Sequence, residues 1–239
     1  MAYRSKRWRG ARDLVDPEQR YTLDEAVAIV RKNATAKFDE TIEISVRLGV
    51  DPRQAEQMIR GAVSLPHGTG RKVRVIVFAQ GDAARAAAEA GADAVGADDL
   101  VQRIQAENWL DFDKAVATPD LMPKVSRLGK VLGPRGLMPN PKVGTVVAAD
   151  RIADTVRELR AGKIEFRVEK AGIIHTAVGK ASMTEQQLSE NISTLMQTLL
   201  RMKPSSAKGT YIRGVAISST MGPGIRLDVN DLTRTSDQA

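Results

Sequence analysis

The stretch Leu65–Phe78, LPHGTGRKVRVIVF, decides the fold. Pro66, Gly68 and Gly70 interrupt whatever precedes them, and the run from Val73 to Phe78 is apolar almost without a break. A strand covered on both faces reads that way, whereas a strand with one wet face alternates. Upstream the chain does alternate: in Thr41–Leu48, Ile42, Ile44, Val46 and Leu48 point one way and Thr41, Glu43, Ser45 and Arg47 the other. The pattern therefore changes at Pro66–Gly70, and a hinge is expected there.

Beyond that hinge, short apolar runs alternate with helical ones. Strands are expected at 73–78, 94–96, 115–118 and 145–147, and helices at 82–90, 98–107, 119–128 and 150–160. Such alternation implies a parallel sheet covered by helices, Rossmann-like in shape because crossovers are right-handed. The first strand runs into Ala79, Gln80, Gly81 and Asp82, which is not a dinucleotide fingerprint.

At Ala161 and Gly162 the alternating pattern returns. Ile164, Phe166 and Val168 oppose Lys163, Glu165, Arg167 and Glu169, and further strands are expected at 173–178, 211–220 and 225–229. Two helices accompany them. Thr22 with Glu25 opens one that ends near Asn33, and Thr184 with Gln187 opens another that Pro204 stops. Residues 1–20 hold Arg4, Lys6, Arg7, Arg9 and Arg12 around Trp8, a segment too polar to fold alone, suited to lie on RNA and equally to stay a solvated tail. The expected architecture is α+β and α/β: a discontinuous α+β domain, residues 1–67 and 161–239, interrupted by an α/β domain, residues 68–160.

Composition narrows the function. Thirty-six Lys plus Arg face 29 Asp plus Glu, a net charge of +7 with a pI near 9.8, which favours a polyanionic partner. The absence of cysteine excludes disulfides and thiolate chemistry and suits a reducing cytoplasm. No apolar run approaches a membrane span, so no membrane role is expected. Walker, GxSxG and HExxH motifs are missing, and the only histidines are His67, in the hinge, and His175, in an apolar run. Asp93, Asp98, Asp99, Asp111 and Asp113 read as helix caps and loop charges, so no metal, no cofactor and no catalytic residue is expected.

The densest motif is Leu128–Thr145, LGKVLGPRGLMPNPKVGT. Gly129, Gly133, Gly136 and Gly144 with Pro134, Pro139 and Pro141 forbid a packed helix through Gly133–Pro141. Lys130, Arg135 and Lys142 ride on it with no acid between them, so cations and exposed N–H groups can meet phosphate there. The same framework serves equally as a rigid connection that caps a domain. An alternative reading makes this loop the centre of a phosphate- or nucleotide-binding α/β enzyme.

LGKVLGPRGLMPNPKVGTV resembles the signature run of the first-numbered family of large-subunit ribosomal proteins, "L one", in its bacterial type. Phe38–Leu48 and Ser219–Asp228 are similar to that family's RNA-contact segments. The resemblance implies a split βαβ version of the discontinuous domain and a structural role in the lateral stalk of the ribosome. It also implies large-subunit rRNA, exit-site tRNA and the protein's own operon mRNA as partners, the last for translational repression by a cytoplasmic protein that is monomeric off the ribosome. By the same resemblance Lys37, Phe38, Thr41 and Glu43 on one segment, and Ser219, Thr220, Met221 and Gly222 on the other, contact rRNA. Arg167 and Lys170 are weaker transfers, and Lys130, Gly133, Arg135, Gly136 and Lys142 are secondary candidates. From the residues alone, Phe38 serves equally as a core aromatic, Thr41 and Glu43 as a solvated strand face, and Gly222 and Gly224 as a hairpin turn.

Overall fold

The structure is a computed structural model that describes residues 5–232. It divides into two compact units, residues 1–71 with 164–239 and residues 72–163. The seams fall a few residues past the expected 67/68 and 160/161. In chain order the helices and strands are α1 (Lys6–Asp13), α2 (Leu23–Asn33), β1 (Thr41–Leu48), β2 (Arg60–Ser64), β3 (Val75–Phe78), α3 (Gly81–Glu89), β4 (Ala94–Gly96), α4 (Asp98–Glu107) and β5 (Lys114–Ala117). There follow α5 (Met122–Val125), α6 (Gly129–Leu132), α7 (Ile152–Ala161), β6 (Lys163–Arg167), β7 (Ile173–Lys180), α8 (Glu185–Arg201), β8 (Ile212–Ser219) and β9 (Ile225–Leu227).

In the first unit β1 is the strand on which the sheet is assembled, in the order β7-β1-β8-β9. β1 runs antiparallel to β7 and to β8, so those two are parallel to each other and joined by the α8 crossover, with β1 slotted between them. That is a split βαβ, antiparallel where the inserted unit is parallel. Its inner face carries Ile42, Ile44, Val46, Leu48, Ile174, Val178, Val215 and Ile217 against Ala26, Val27 and Val30 of α2 and Leu188, Ile192, Leu195 and Leu199 of α8. Both helices begin with reciprocal capping boxes, Thr22 with Glu25 and Thr184 with Gln187, which satisfy orphan N–H groups at each start. β2 and β6 make a separate two-stranded sheet whose Val63, Ile164 and Phe166 join the same core.

The N-terminal segment departs from expectation. Ser5 caps α1 through a 3.2 Å bond from Trp8 N–H, although none of the helix's residues is buried. Tertiary anchors supply what its polarity withholds: Asn33 Nδ2 donates to Ala11 O at 3.3 Å, Val15 is buried, and Tyr21 Oη accepts from Asp16 N–H at 2.9 Å. Arg4 lies outside the described residues.

In the inserted unit β3 is central, with β4 and β5 parallel on its sides. Its alternate side chains feed two cores. Ile76 and Phe78 pack with Leu100, Ile104, Val125, Leu128 and Leu132, while Val75 and Val77 pack with Ala83, Ala87, Ile152, Val156 and Leu159. This double burial is why Val73–Phe78 reads apolar without a break. The expected strand at 145–147 reduces to a single parallel bridge from Val146 to Ala117. The expected helix at 119–128 is a chain of short turns, because Pro119 and Pro123 remove N–H donors and Ser126 Oγ bonds back to Met122 O at 2.7 Å. The loop acids hold structure: Asp93 accepts from Val75 N–H, Asp99 from Ala97 N–H, and Asp111 and Asp113 bind Arg74.

Where the chain leaves the first unit, Asn191 is fully buried and binds three backbone groups. Its Nδ2 donates to Gly68 O at 2.9 Å and Val178 O at 2.8 Å, and its Oδ1 accepts from His67 N–H at 3.1 Å. Replacing Asn191 by the similarly sized Leu strands all three groups, so a loss of about 3 kcal/mol is expected in chemical denaturation. An unchanged midpoint would show that water takes over these groups.

Candidate nucleic-acid interface

Glu40 lies where β1 begins, on the same side as Ile42 and Ile44, and is only 1% exposed. A carboxylate buried there demands donors. Oε1 accepts from Ala36 N–H at 2.9 Å and Oε2 from Met221 N–H at 2.9 Å, so one side chain ties the 34–40 loop to the turn after β8. Burial alone would push the Glu40 carboxyl up. The Met221 N–H, the Ser219 hydroxyl, the Ala36 N–H and the charge of Arg7 outweigh it and hold the carboxyl below its ordinary value of 4.5. Ser219 Oγ is buried without a partner in full hydrogen-bonding geometry, yet it faces this carboxylate.

Two further ties lock the corner. Thr41 N–H donates to Thr220 Oγ1 at 3.0 Å, and Thr220 N–H donates to Thr41 O at 3.0 Å. Lys180 Nζ donates to Thr41 Oγ1 at 2.8 Å and to Asp39 O at 3.3 Å, while Asp39 accepts from the hydroxyl and N–H of Ser182. The loop and the turn are thus one rigid body, and from it Phe38 and Met221 project, 55% and 49% exposed. Lys37 and Glu43 are exposed beside them.

The structure brings most of the expected residues together but changes what some of them do. Ser219, expected on the surface, points inward with Ile217 and is buried. The Thr220 hydroxyl, expected to contact rRNA, is engaged with Thr41. Gly222 is not left-handed, and its constraint is space: a Cβ there would lie 2.6 Å from Ser219 Oγ. Gly222→Val therefore disturbs the turn from within and is a poor probe of an outside partner.

Arg167 and Lys170 lie elsewhere. Arg47, at the far end of β1, pairs with Ile173, whereas Thr41 pairs with Lys180, so the loop before β7 sits about 20 Å along the strand from Thr41. There Arg167 and Lys170, with Pro52, Arg53 and Met58, line a cleft of about 720 Å³. Between the two ends the outer sheet face is low and basic. Ser45, Gly214 and Ala216 floor a second cleft of about 430 Å³, rimmed by Arg20, Arg47, His175, Arg213 and Arg226. His175 Nδ1 shares a 3.0 Å hydrogen bond with Ser45 Oγ. Of the rim residues, Arg20, Arg213 and Arg226 were not singled out from sequence, although the outward parity of Arg226 in β9 marks it.

In the inserted unit Lys130, Gly133, Arg135, Gly136 and Lys142 are all exposed. Gly133 is required by space, since a Cβ there would lie 2.5 Å from Gly129 O, and Gly136 by a φ of 69°.

The first unit thus presents a basic outer sheet face with apolar side chains projecting at its corner. The chain belongs to the ribosomal protein L1p/L10e family, whose profile matches residues 30–223. It is 55% identical over 228 residues, 95% of its own length and 96% of the relative's, to the large ribosomal subunit protein uL1 of Syntrophobacter fumaroxidans. Membership in a family of ribosomal proteins implies a structural rather than a catalytic role. No helix among the described residues is long and apolar enough to cross a membrane.

The depressed Glu40 carboxyl makes the corner pH-sensitive with a definite sign. A carboxyl lowered by folding contributes stability that is present above 4.5 and lost as pH falls through the lowered value. Glu40→Gln is expected to cost roughly 2–3 kcal/mol at neutral pH, with the deficit shrinking as the pH falls through the lowered Glu40 value, below the ordinary 4.5. Paired denaturation curves across pH check this, and a deficit independent of pH would assign the loss to packing.

Proposed function

We propose that the first unit is the rRNA-binding domain of a structural protein of the large ribosomal subunit, gripping a folded rRNA element at the corner built on Glu40. The observation that carries this reading is the pair of exposed side chains, Phe38 and Met221, on segments that Glu40 binds to one another. A folded domain exposes large apolar groups on a rigid corner at a cost, and an outside partner that covers them offsets it. The four large hydrophobics most exposed among the described residues, Leu14, Phe38, Met58 and Met221, all lie in this unit. Three of them sit near cations: Arg12 of α1 beside Leu14, Lys37 beside Phe38, Arg167 beside Met58. Phe38 stacks on a base or ribose, the tightly turned Met221–Gly222 backbone enters a minor groove, and Lys37 meets phosphate. The cleft at Arg167 and Lys170 extends the contact along the sheet face.

Within this reading the family resemblance extends the role. The protein forms the mobile lateral stalk that acts on exit-site tRNA, and the same corner represses its own operon by binding an mRNA element of similar shape. It works in the cytoplasm and is monomeric off the ribosome. The inserted unit leaves the corner of the first unit intact, because all the bonds that build that corner are within residues 36–41, 180–182 and 219–222.

Phe38→Ala and Met221→Ala remove exposed side chains and leave the Glu40 bonds to backbone in place. Each is expected to weaken binding of a large-subunit rRNA fragment by about 1–3 kcal/mol with unchanged melting temperature. Lys37→Ala is expected to reduce the slope of log K against log salt by roughly 0.7–0.9. Wild-type affinity in all three variants would remove the corner from the interface.

A further inference from the structure

The chain has no cysteine, so its eight methionines hold all of its sulfur. Most of those sulfurs are shielded. Met196 is fully buried, and Met122, Met138, Met183 and Met202 are part-buried and packed against the cores of their units. Met183 Sδ accepts from Lys180 N–H at 3.4 Å. Met58 is 39% exposed, but its Sδ accepts from Arg167 Nη2 at 3.8 Å. Met221 differs on both counts. It is 49% exposed, and its hydrogen bonding runs through its backbone N–H to Glu40, with none to the sulfur among the described residues.

The backbone that carries this sulfur is held in place. Met221 N–H donates to Glu40 Oε2 at 2.9 Å, Thr220 N–H to Thr41 O at 3.0 Å and Gly222 N–H to Ser219 O at 3.2 Å. None of these bonds uses the Met221 side chain, so an oxygen added to its Sδ enters solvent and leaves the turn as it is. The surface chemistry changes far more. A thioether is apolar and polarisable, whereas a sulfoxide carries a strong acceptor oxygen with its own bound water. A partner that covers the oxygen strips that water, at a cost unless it supplies a donor in return.

We propose that Met221 is a site of reversible oxidation by peroxide, and that its sulfoxide form binds RNA more weakly while the fold is unchanged. A sulfur lone pair attacks one oxygen of hydrogen peroxide: the S–O bond forms, the O–O bond breaks, and the proton on the transferred oxygen passes to the departing hydroxide, which leaves as water. Sulfur gives up two electrons and the peroxide gains them. The return step draws two electrons from an external dithiol through methionine sulfoxide reductases, since the chain has no thiol of its own; the oxygen leaves as water and the dithiol becomes a disulfide. The site rests on the surroundings of the sulfur, and the consequence for RNA rests on the proposed function of the corner.

The test treats the full chain with dilute hydrogen peroxide and maps the oxidised positions over time by peptide mass spectrometry. Affinity for a large-subunit rRNA fragment and melting temperature are measured on the same samples. Met221 is expected to oxidise ahead of Met58 and well ahead of Met196, and affinity to fall about tenfold at unchanged melting temperature. Treatment with both sulfoxide reductases, one for each epimer, is expected to restore it. Met221→Leu removes the sulfur and keeps an apolar side chain of similar size. Whatever affinity that variant starts with, peroxide is expected to cause no further loss, whereas Met58→Leu keeps the full loss. Oxidation of Met221 no faster than that of Met58, a loss that persists in Met221→Leu, or a loss accompanied by a lower melting temperature would overturn the proposal. So would complete oxidation of Met221 with wild-type affinity, and Phe38→Ala then separates the causes. If that variant binds weakly, the corner is an interface that tolerates the sulfoxide; if it binds as wild type, the corner is not an interface.

Discussion

A single carboxylate placed on the wrong side of a strand organises this protein's corner. Glu40 shares the inward parity of Ile42, Ile44 and Val46, so folding carries its charge into the core edge along with the apolar residues. The cost of that burial is offset only if donors converge, and the donors available are the N–H groups of Ala36 and Met221. Those groups belong to segments some 180 residues apart in sequence, so satisfying Glu40 forces the loop before β1 against the turn after β8. Phe38 and Met221 project from the two segments so tied, and both are exposed.

Much of this was legible from residues alone. Period-two alternation in Thr41–Leu48, unbroken apolarity in Val73–Phe78 and the boxes at Thr22 and Thr184 correspond to β1, β3, α2 and α8. Each signal is local. What could not be read was where locality fails. The helix at α1 forms because Asn33, Val15 and Tyr21 hold its surroundings, and nothing within residues 5–13 announces those partners. The 119–132 segment has helical apolar spacing, yet its prolines and the Ser126 back-bond divide it. At the corner, Ser219 and Thr220 carry hydroxyls that look equally available in sequence, and only the tertiary pairing shows one buried and the other engaged with Thr41. Glu40 itself was marked by its parity in the strand, a signal that has meaning once the inner face of β1 is known.

The two units solve different electrostatic problems. In the first, Arg20, Arg47, Arg213 and Arg226 line a cleft on the outer sheet face; in the second, Arg74, Arg85, Arg103, Lys124, Arg157 and Lys163 pair with acids, while Arg127, Lys130, Arg135 and Lys142 bond no acid among the described residues. The glycine and proline punctuation of Leu128–Thr145 then has a cause beyond turn-making. It lets a charged loop lie over a tightly packed sheet end, with Gly133 against Gly129 O and Gly136 left-handed, without a buried acid to hold it down.

The most direct measurement leaves every residue in place. With the methionine methyl groups carbon-13 labelled, a large-subunit rRNA fragment is titrated into the full chain and the resonances are followed. The Met221 signal, from a side chain half exposed on the Glu40 corner, is expected to shift and broaden, while that of fully buried Met196 stays where it was. Saturated RNA binding with an unmoved Met221 resonance would contradict the account.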